Sequence, residues 1–190
     1  MAAVDSRGPV PSVPFRPAEP VEHLRKLIRD VPDFPHPGIL FRDVTPLLRD
    51  AAALREVTTA FAGHFRGRVD AVAGIESRGF IFGAPLAMEL GVGFIPVRKA
   101  GRLPAEKISR EYDLEYGTSI LEMHADALRP GERILLVDDL LATGGTARAA
   151  SALIGELGGT LAAVAVVIEL LFLQGRAALP GTEVHALLQY

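Results

Sequence analysis

Two aspartates and a threonine–glycine turn lie close together in the second half of the chain, and their types suit a phosphorylated sugar. Asp138 and Asp139 end an apolar run, and the TGGT turn (residues 143–146) follows after three residues. Glycines let backbone N–H groups close around a phosphate, and a helix that begins behind them adds a favourable dipole. Two carboxylates repel a phosphate placed directly on them, but they bind sugar hydroxyls or Mg²⁺. The spacing predicts a ribose 5-phosphate, with its phosphate in the turn and its hydroxyls on the aspartates.

A plainer interpretation of the same residues is a solvated strand end followed by a turn that only caps a helix. Known nucleotide motifs do not decide between the two. The chain has no GxxxxGK[ST] phosphate loop, and the Gly-Val-Gly at residues 91–93 precedes an apolar run instead of following one, unlike a dinucleotide fingerprint. Spacing alone leaves both interpretations open.

The elements that would position these residues alternate between strands and helices. Apolar patterns predict strands over residues 69–75, 92–97, 133–137, 161–170 and 183–188. Amphipathic patterns predict helices over residues 21–30, 50–66, 79–90 and about 146–157. Buried strands that alternate with helices predict an α/β fold, an open, mostly parallel twisted sheet flanked by helices. In such a sheet ligands bind beyond the carboxyl ends of the strands, where residues 138–146 fall.

Three segments depart from this alternation. Residues 31–48 contain Pro32, Pro35, Pro37 and Gly38, which predict an ordered loop without regular structure. Residues 98–122 carry too few apolar residues to belong to the core, and they predict a functional loop that pairs as an antiparallel ribbon, with residues 118–122 as the returning strand. Residues 1–20 are broken by spaced prolines and predict a disordered tail.

Composition excludes several classes of protein. A length of 190 residues fits one domain, residues 21–190, with a short tail. The absence of cysteine excludes thiolate metal centres, cysteine nucleophiles and disulfides, and a net charge of −3 argues against general nucleic-acid binding. The longest apolar run, residues 161–173, is interrupted by Glu169 and is too short to span a bilayer. No secretory signal is visible, so we expect a cytoplasmic protein without a membrane partner.

The segment VDDLLATGGT resembles the phosphoribosyl-diphosphate signature of the type I phosphoribosyltransferases. Five further blocks resemble adenine-specific members of that family, in the same order, over about residues 30–190: FPHPGILFRDVTPLL, GIESRGFIFGAPLA, PVRKAGRLP, YDLEYG and LLQY. The resemblance implies the family's fold, with a hood segment over about residues 31–48 and a flexible catalytic loop over about residues 98–118. It also implies transfer of ribose 5-phosphate from 5-phospho-α-D-ribose 1-diphosphate to N9 of adenine, which yields AMP and pyrophosphate.

The resemblance assigns a role to each group of residues. The donor 5-phosphate is expected on Ala142, Thr143, Gly144, Gly145 and Thr146. Pyrophosphate is expected on Ser77, Arg78, Arg98, Lys99 and Arg102. Adenine is expected on Leu40, Phe41, Arg42 and Leu140. The residues expected to act in catalysis are Glu115, Arg78, Asp138 and Asp139, with Glu115 as the acid or base near N7 of adenine. By position alone, Glu115 is better interpreted as an exposed loop residue, and Phe41 is as well interpreted as a core residue as a base-binding one.

The same resemblance implies Mg²⁺ bound with the donor and not directly by the protein. It implies a homodimer in which the neighbouring subunit supplies some of the cations. Glu76 stands where the family usually has aspartate, and Ala100 stands where a basic residue is common. A xanthine or other purine phosphoribosyltransferase remains an alternative, because the phosphate and ribose sites are shared. A purine-responsive regulator on the same fold is a second alternative, against which the short tail and the complete set of loop cations argue.

Overall fold

The computed structural model describes residues 21–113 and 118–190. The strands are β1 (Arg29–Pro32), β2 (Leu40–Asp43), β3 (Ala71–Ile75), β4 (Gly93–Lys99), β5 (Lys107–Asp113), β6 (Thr118–His124), β7 (Arg133–Leu141), β8 (Thr160–Glu169) and β9 (Glu183–Gln189). The α-helices are α1 (Thr45–Arg49), α2 (Ala51–Phe65), α3 (Arg78–Leu90) and α4 (Gly145–Glu156). Short 3₁₀ helices cover Val21–Leu27, Leu171–Leu173 and Gly175–Ala178. Within the described ranges, no helix is both long and apolar enough to cross a membrane.

Seven strands form one sheet, in the order β5-β6-β4-β3-β7-β8-β9. The strands from β4 to β9 in this order pair in parallel, whereas β6 runs antiparallel to both β4 and β5. The predicted open, mostly parallel sheet flanked by helices is therefore confirmed. The antiparallel ribbon predicted for residues 98–122 is also present, as β5 and β6 at one edge of the sheet.

Helices cover both faces of this sheet. Helices α2 and α3 bury Phe61, Phe65 and Leu86 against one face, and α4 buries Leu153 and Ile154 against the other. Burying these apolar side chains is the main stabilising contribution to the fold.

The topology places a crevice at the centre of the sheet. Strands β3 and β7 are parallel neighbours, but the chain leaves β3 through α3 towards β4 on one side and leaves β7 through α4 towards β8 on the other. Connections that diverge from adjacent strands open a ligand crevice beyond their carboxyl ends. Helix α3 lies very close to β7 there, because a Cβ atom on Gly79 would come within 2.5 Å of the carbonyl oxygen of Val137.

The structure corrects three of the sequence predictions. Residues 31–48 are not an irregular loop throughout, since they contain β2 and most of α1. Strand β1 ends within them at Pro32, a position where an edge strand tolerates a missing N–H. The predicted first helix is a 3₁₀ helix that stops at Leu27, because Arg29 begins the hairpin. Residues 98–122 do contribute to the core, since Tyr112 and Leu121 are buried beneath the ribbon.

Candidate active site

A cavity of about 520 Å³ opens at the carboxyl ends of the central strands. Its wall combines residues of the hairpin β1–β2, the amino-terminal end of α3 and the whole stretch from residue 138 to residue 147. Residues predicted from the sequence that line it are Leu40, Phe41, Arg42, Arg78, Asp138, Asp139, Leu140, Ala142, Thr143, Gly144, Gly145 and Thr146. The groups predicted to bind adenine, ribose and the 5-phosphate therefore face one shared space.

The TGGT turn joins a strand that is longer than the sequence predicts. Strand β7 continues to Leu141 instead of ending at residue 137, so both aspartates belong to its last residues. Gly144 then takes the left-handed conformation (φ 83°) directly before α4 begins at Gly145. The first N–H groups of a helix have no partners within the helix. Gly145, Thr146 and Ala147, which begin the helix, line the cavity. An anion bound there would be stabilised by these donors and by the helix dipole.

The 3₁₀ helix Gly175–Ala178 packs against this turn. A Cβ atom on Gly144 would lie 2.3 Å from the carbonyl oxygen of Gly175, and a Cβ atom on Gly175 would lie 2.3 Å from the carbonyl oxygen of Ala142. The next residue, Arg176, donates through Nε and Nη2 to the carboxylate of Glu169 at 2.6 and 2.8 Å. Glu169 is buried at the end of β8, so the pair fixes the supporting segment to the sheet. Sequence reasoning missed both glycine contacts and this ion pair.

The two aspartates differ in their surroundings. The guanidinium of Arg78 forms an ion pair with the carboxylate of Asp139, whose side chain is only 6% exposed. Asp138 accepts a hydrogen bond from the N–H of Asp139 at 2.9 Å. Burial raises the pKa of the Asp138 carboxyl well above its usual range, and the charge of Asp139 adds to the rise. A ribose hydroxyl that contacts Asp139 would thus share the carboxylate with Arg78.

The predicted pyrophosphate residues gather around Glu76, beside the cavity. The carboxylate of Glu76 accepts from Nε of Arg98 at 3.0 Å and from the backbone N–H of Lys99 at 3.1 Å. Burial alone would raise the pKa of Glu76, but these hydrogen bonds bring it below its ordinary value. Arg98 also donates to the carbonyl oxygen of Arg102 at 2.8 Å. Of the predicted set only Arg78 lines the cavity in the described part of the chain, while Ser77 precedes it in an exposed turn.

The hairpin supplies the opposite wall of the cavity. Phe41 packs edge-to-face against Phe34 at 5.2 Å, and the guanidinium of Arg78 lies 5.7 Å from the Phe41 ring centre. Leu140 lines the same space from β7. Ile39 and Leu173 add apolar surface that sequence reasoning did not assign. A flat apolar molecule would fit between these walls.

Comparison with known proteins places this architecture in a family. A family model, described as the phosphoribosyl transferase domain, matches residues 43–177. The adenine phosphoribosyltransferase of Methylococcus capsulatus is 59% identical over 171 residues, which make up 90% of this chain and 100% of that protein. The chain belongs to the adenine phosphoribosyltransferase family.

Solved members of the adenine phosphoribosyltransferase family share the fold. The enzyme of Thermoanaerobacter pseudethanolicus is 49% identical with a TM-score of 0.87, over 90% of this chain and 99% of that one. The enzyme of Saccharomyces cerevisiae, crystallised with an iminoaltritol bisphosphate and adenine, is 40% identical with a TM-score of 0.84, over 88% and 97% of the two chains. The predicted family resemblance is confirmed. Glu115 and the tail, residues 1–20, lie outside the residues that the structure describes.

Proposed function

We propose that this protein transfers ribose 5-phosphate from 5-phospho-α-D-ribose 1-diphosphate to N9 of adenine and releases AMP and pyrophosphate. One observation carries the proposal: the TGGT turn, the two aspartates and Phe41 line a single cavity of about 520 Å³. The names of relatives such as the adenine phosphoribosyltransferase at 59% identity support the same reaction.

The donor would bind through its 5-phosphate in the TGGT turn, whose four residues line the cavity and offer backbone N–H groups and two threonine hydroxyls as donors. Asp138 and Asp139 precede the turn on β7 and line the same cavity. We propose that they accept hydrogen bonds from the ribose hydroxyls.

In the reaction the bond between C1 of the ribose and the diphosphate oxygen breaks, a bond between C1 and N9 forms, and adenine loses its N9 proton. Positive charge grows on the ribose ring as the diphosphate leaves. Nearby carboxylates stabilise that charge more than they stabilise the neutral ground state, which lowers the barrier. The guanidinium of Arg78 would bind the departing pyrophosphate by charge-assisted hydrogen bonds. Catalysis by Glu115 stays a prediction.

Adenine would lie between Phe41 and Leu140, both of which line the cavity. A planar base with apolar faces suits such a sandwich. In the described residues β2 pairs only with β1, so its second edge carries N–H and C=O groups that no strand partner uses. Those groups, in residues 40–42, would form hydrogen bonds with the polar edge of the base.

The side chains of the described residues fit a metal ion that arrives with the donor. No cluster of three or more acidic or histidine side chains suited to a metal occurs in residues 21–113 and 118–190. Mg²⁺ commonly binds substrate phosphates and waters, so the donor would supply its ligands and the protein would not bind it directly. Bound Mg²⁺ would neutralise part of the diphosphate charge. The homodimer, the cytoplasmic location and the absence of a nucleic-acid partner stay predictions.

Competing purines test the proposal. With donor and Mg²⁺ present, nucleotide formation is followed chromatographically for adenine, hypoxanthine, guanine and xanthine. We expect adenine to have by far the highest kcat/KM. Turnover of a 6-oxopurine above that of adenine would reject the assignment in favour of another purine phosphoribosyltransferase.

A further inference from the structure

The hairpin that carries residues 40–42 needs an attachment to the rest of the molecule. Within the described residues, β1 and β2 form a separate two-stranded sheet and pair only with each other. A two-stranded hairpin is marginally stable by itself. The position of its cavity-facing edge therefore depends on side-chain contacts with the main sheet and its connections.

Tyr190 follows β9, and the main sheet fixes its backbone. Its N–H donates to the carbonyl oxygen of Glu169 at 2.9 Å, and its carbonyl oxygen accepts from the N–H of Leu171 at 2.9 Å. The side chain is partly buried against the core cluster. The ring thus has a defined position relative to β8 and β9.

Two guanidinium groups contact this ring. Arg42 of the hairpin lies with its guanidinium carbon 4.1 Å from the ring centre, and Arg25 of the first 3₁₀ helix lies 4.2 Å from it. Arg25 also donates to the carbonyl oxygen of Gln189 at 3.0 Å. Arg42 forms an ion pair with Asp30, its cross-strand neighbour, and its side chain is only 17% exposed. Cation–π contacts are stronger when they are shielded from water.

We propose that Tyr190 is a positioning residue for the purine base. Its ring holds Arg42, and Arg42 holds the edge of β2 at the cavity. The inference rests on the proposed function, because it assigns residues 40–42 to the base. In the described part of the chain the cavity wall includes Arg42 but neither Tyr190 nor Arg25, so the effect on the base is transmitted through Arg42.

Substitution of the ring tests this role. Tyr190→Leu should raise KM for adenine about tenfold, as expected for loss of a shielded cation–π contact, and should leave KM for the donor within about twofold. Tyr190→Phe retains the ring and should keep both constants near those of the parent. Titration calorimetry with adenine should give the same order of affinities. An unchanged adenine KM in Tyr190→Leu, or an equal rise in both constants, would overturn the proposal.

Arg25→Gln provides a second test that keeps the ring. It removes one of the two cations that hold the ring and should raise adenine KM about threefold. Combined with Tyr190→Leu it should add little, because Arg25 acts on the hairpin only through the ring. Arg133→Gln is the matched control, since Arg133 pairs with Asp70 at the opposite end of β7. If Tyr190→Leu fails to fold, an unchanged adenine KM in Arg25→Gln overturns the proposal. If the parent protein does not use adenine at all, the proposed function fails instead.

Discussion

At the scale of single residues, ionising the Asp138 carboxyl in its desolvated position lowers the stability of the fold. Burial, and then the charge of Asp139, raises its pKa well above the value of about 3.9 for an unfolded chain. Between the pKa of the unfolded chain and the higher pKa of the folded state, the folded state binds the proton more tightly, so stability falls as the pH rises through that interval. A carboxyl in such a position is typical of a residue kept for function.

Asp138→Asn should therefore raise the melting temperature and lower turnover. Asparagine has the same shape, can accept the hydrogen bond from the N–H of Asp139, and needs no ionisation. We expect a rise of about 2–4 °C at pH 7.5, for about 1 kcal/mol, and a smaller rise near pH 4, where the carboxyl is about half protonated even in the unfolded chain. The rate of AMP formation should fall about 100-fold or more. Thermal unfolding at both pH values and steady-state kinetics measure the two effects.

Asp139→Asn is the matched control for this prediction, with the opposite sign. It removes the ion-pair partner of Arg78, so the melting temperature should fall. A fall of the same size in Asp138→Asn would show that burial is not what sets the properties of that carboxyl. Near-normal rates in the double variant would refute the ribose role of both residues.

The sequence predicts the residues of the site better than it predicts their contacts. Asp138, Asp139 and the TGGT turn are close in sequence, so their spacing along the chain is enough to predict that they lie close together in space. The Arg78–Asp139 ion pair joins residues 61 positions apart, and the contact of Gly175 with Ala142 joins two separate loops. Such contacts follow from the packing of α3 and the 3₁₀ turns, and no pattern along the chain encodes them.

At the scale of elements, the hairpin β1–β2 shows why the fold was only partly predictable. The parallel strands are recognisable by their apolar runs, whereas β1 and β2 have four residues each and half of those residues are charged. Cross-strand ion pairs hold them together, between Arg29 and Asp43 and between Asp30 and Arg42. The pairs become visible only when the strand register is known. Proline-rich composition therefore predicts a loop here although a hairpin forms.

The 3₁₀ helix Gly175–Ala178 packs against the TGGT turn and should therefore shape the donor site. Gly175→Ala adds a Cβ atom that would lie 2.3 Å from the carbonyl oxygen of Ala142, so one of the two backbones must move. We expect KM for the donor to rise at least tenfold, because the N–H groups of the turn lose their geometry, and KM for adenine to change much less. Steady-state kinetics with each substrate varied in turn measure this difference.

Gly155→Ala supplies the control for an added methyl group. Gly155 lies in α4, and a Cβ atom there would meet nothing within 4 Å. Alanine favours the helix by about 1 kcal/mol, so this variant should be as active as the parent and slightly more stable. If Gly175→Ala also left the donor KM unchanged, the segment would have no part in shaping the turn.

At the scale of the whole molecule, the edge of the sheet far from the central crevice contains a histidine pair. His185 of β9 stacks on His64 of α2 with ring centres 4.1 Å apart, and His64 contacts the carboxylate of Glu183 at 2.6 Å. Arg68 forms an ion pair with Glu183, and Arg176 adds further positive charge nearby. In the described part of the chain, Nε2 of His185 is buried without a hydrogen-bond partner. The neutral imidazole is the form that this environment accepts.

Burial, and then the charge of His64, lowers the pKa of His185 to about 4, against about 6.5 in an unfolded chain. The unfolded chain therefore takes up this proton first as the pH falls, and folding stability from this group, complete above pH 6.5, is lost progressively down to about pH 4. His185→Phe keeps an aromatic ring beside Phe61 and Phe65 but cannot titrate. The free energy of unfolding from urea titrations at pH 7.5, 6, 5 and 4.5 should fall less steeply in this variant than in the parent. Parallel slopes would mean that other groups, such as Glu183 losing its negative charge, set the acid limit of the fold, since that carboxylate has a lowered pKa and loses its stabilisation in the same direction.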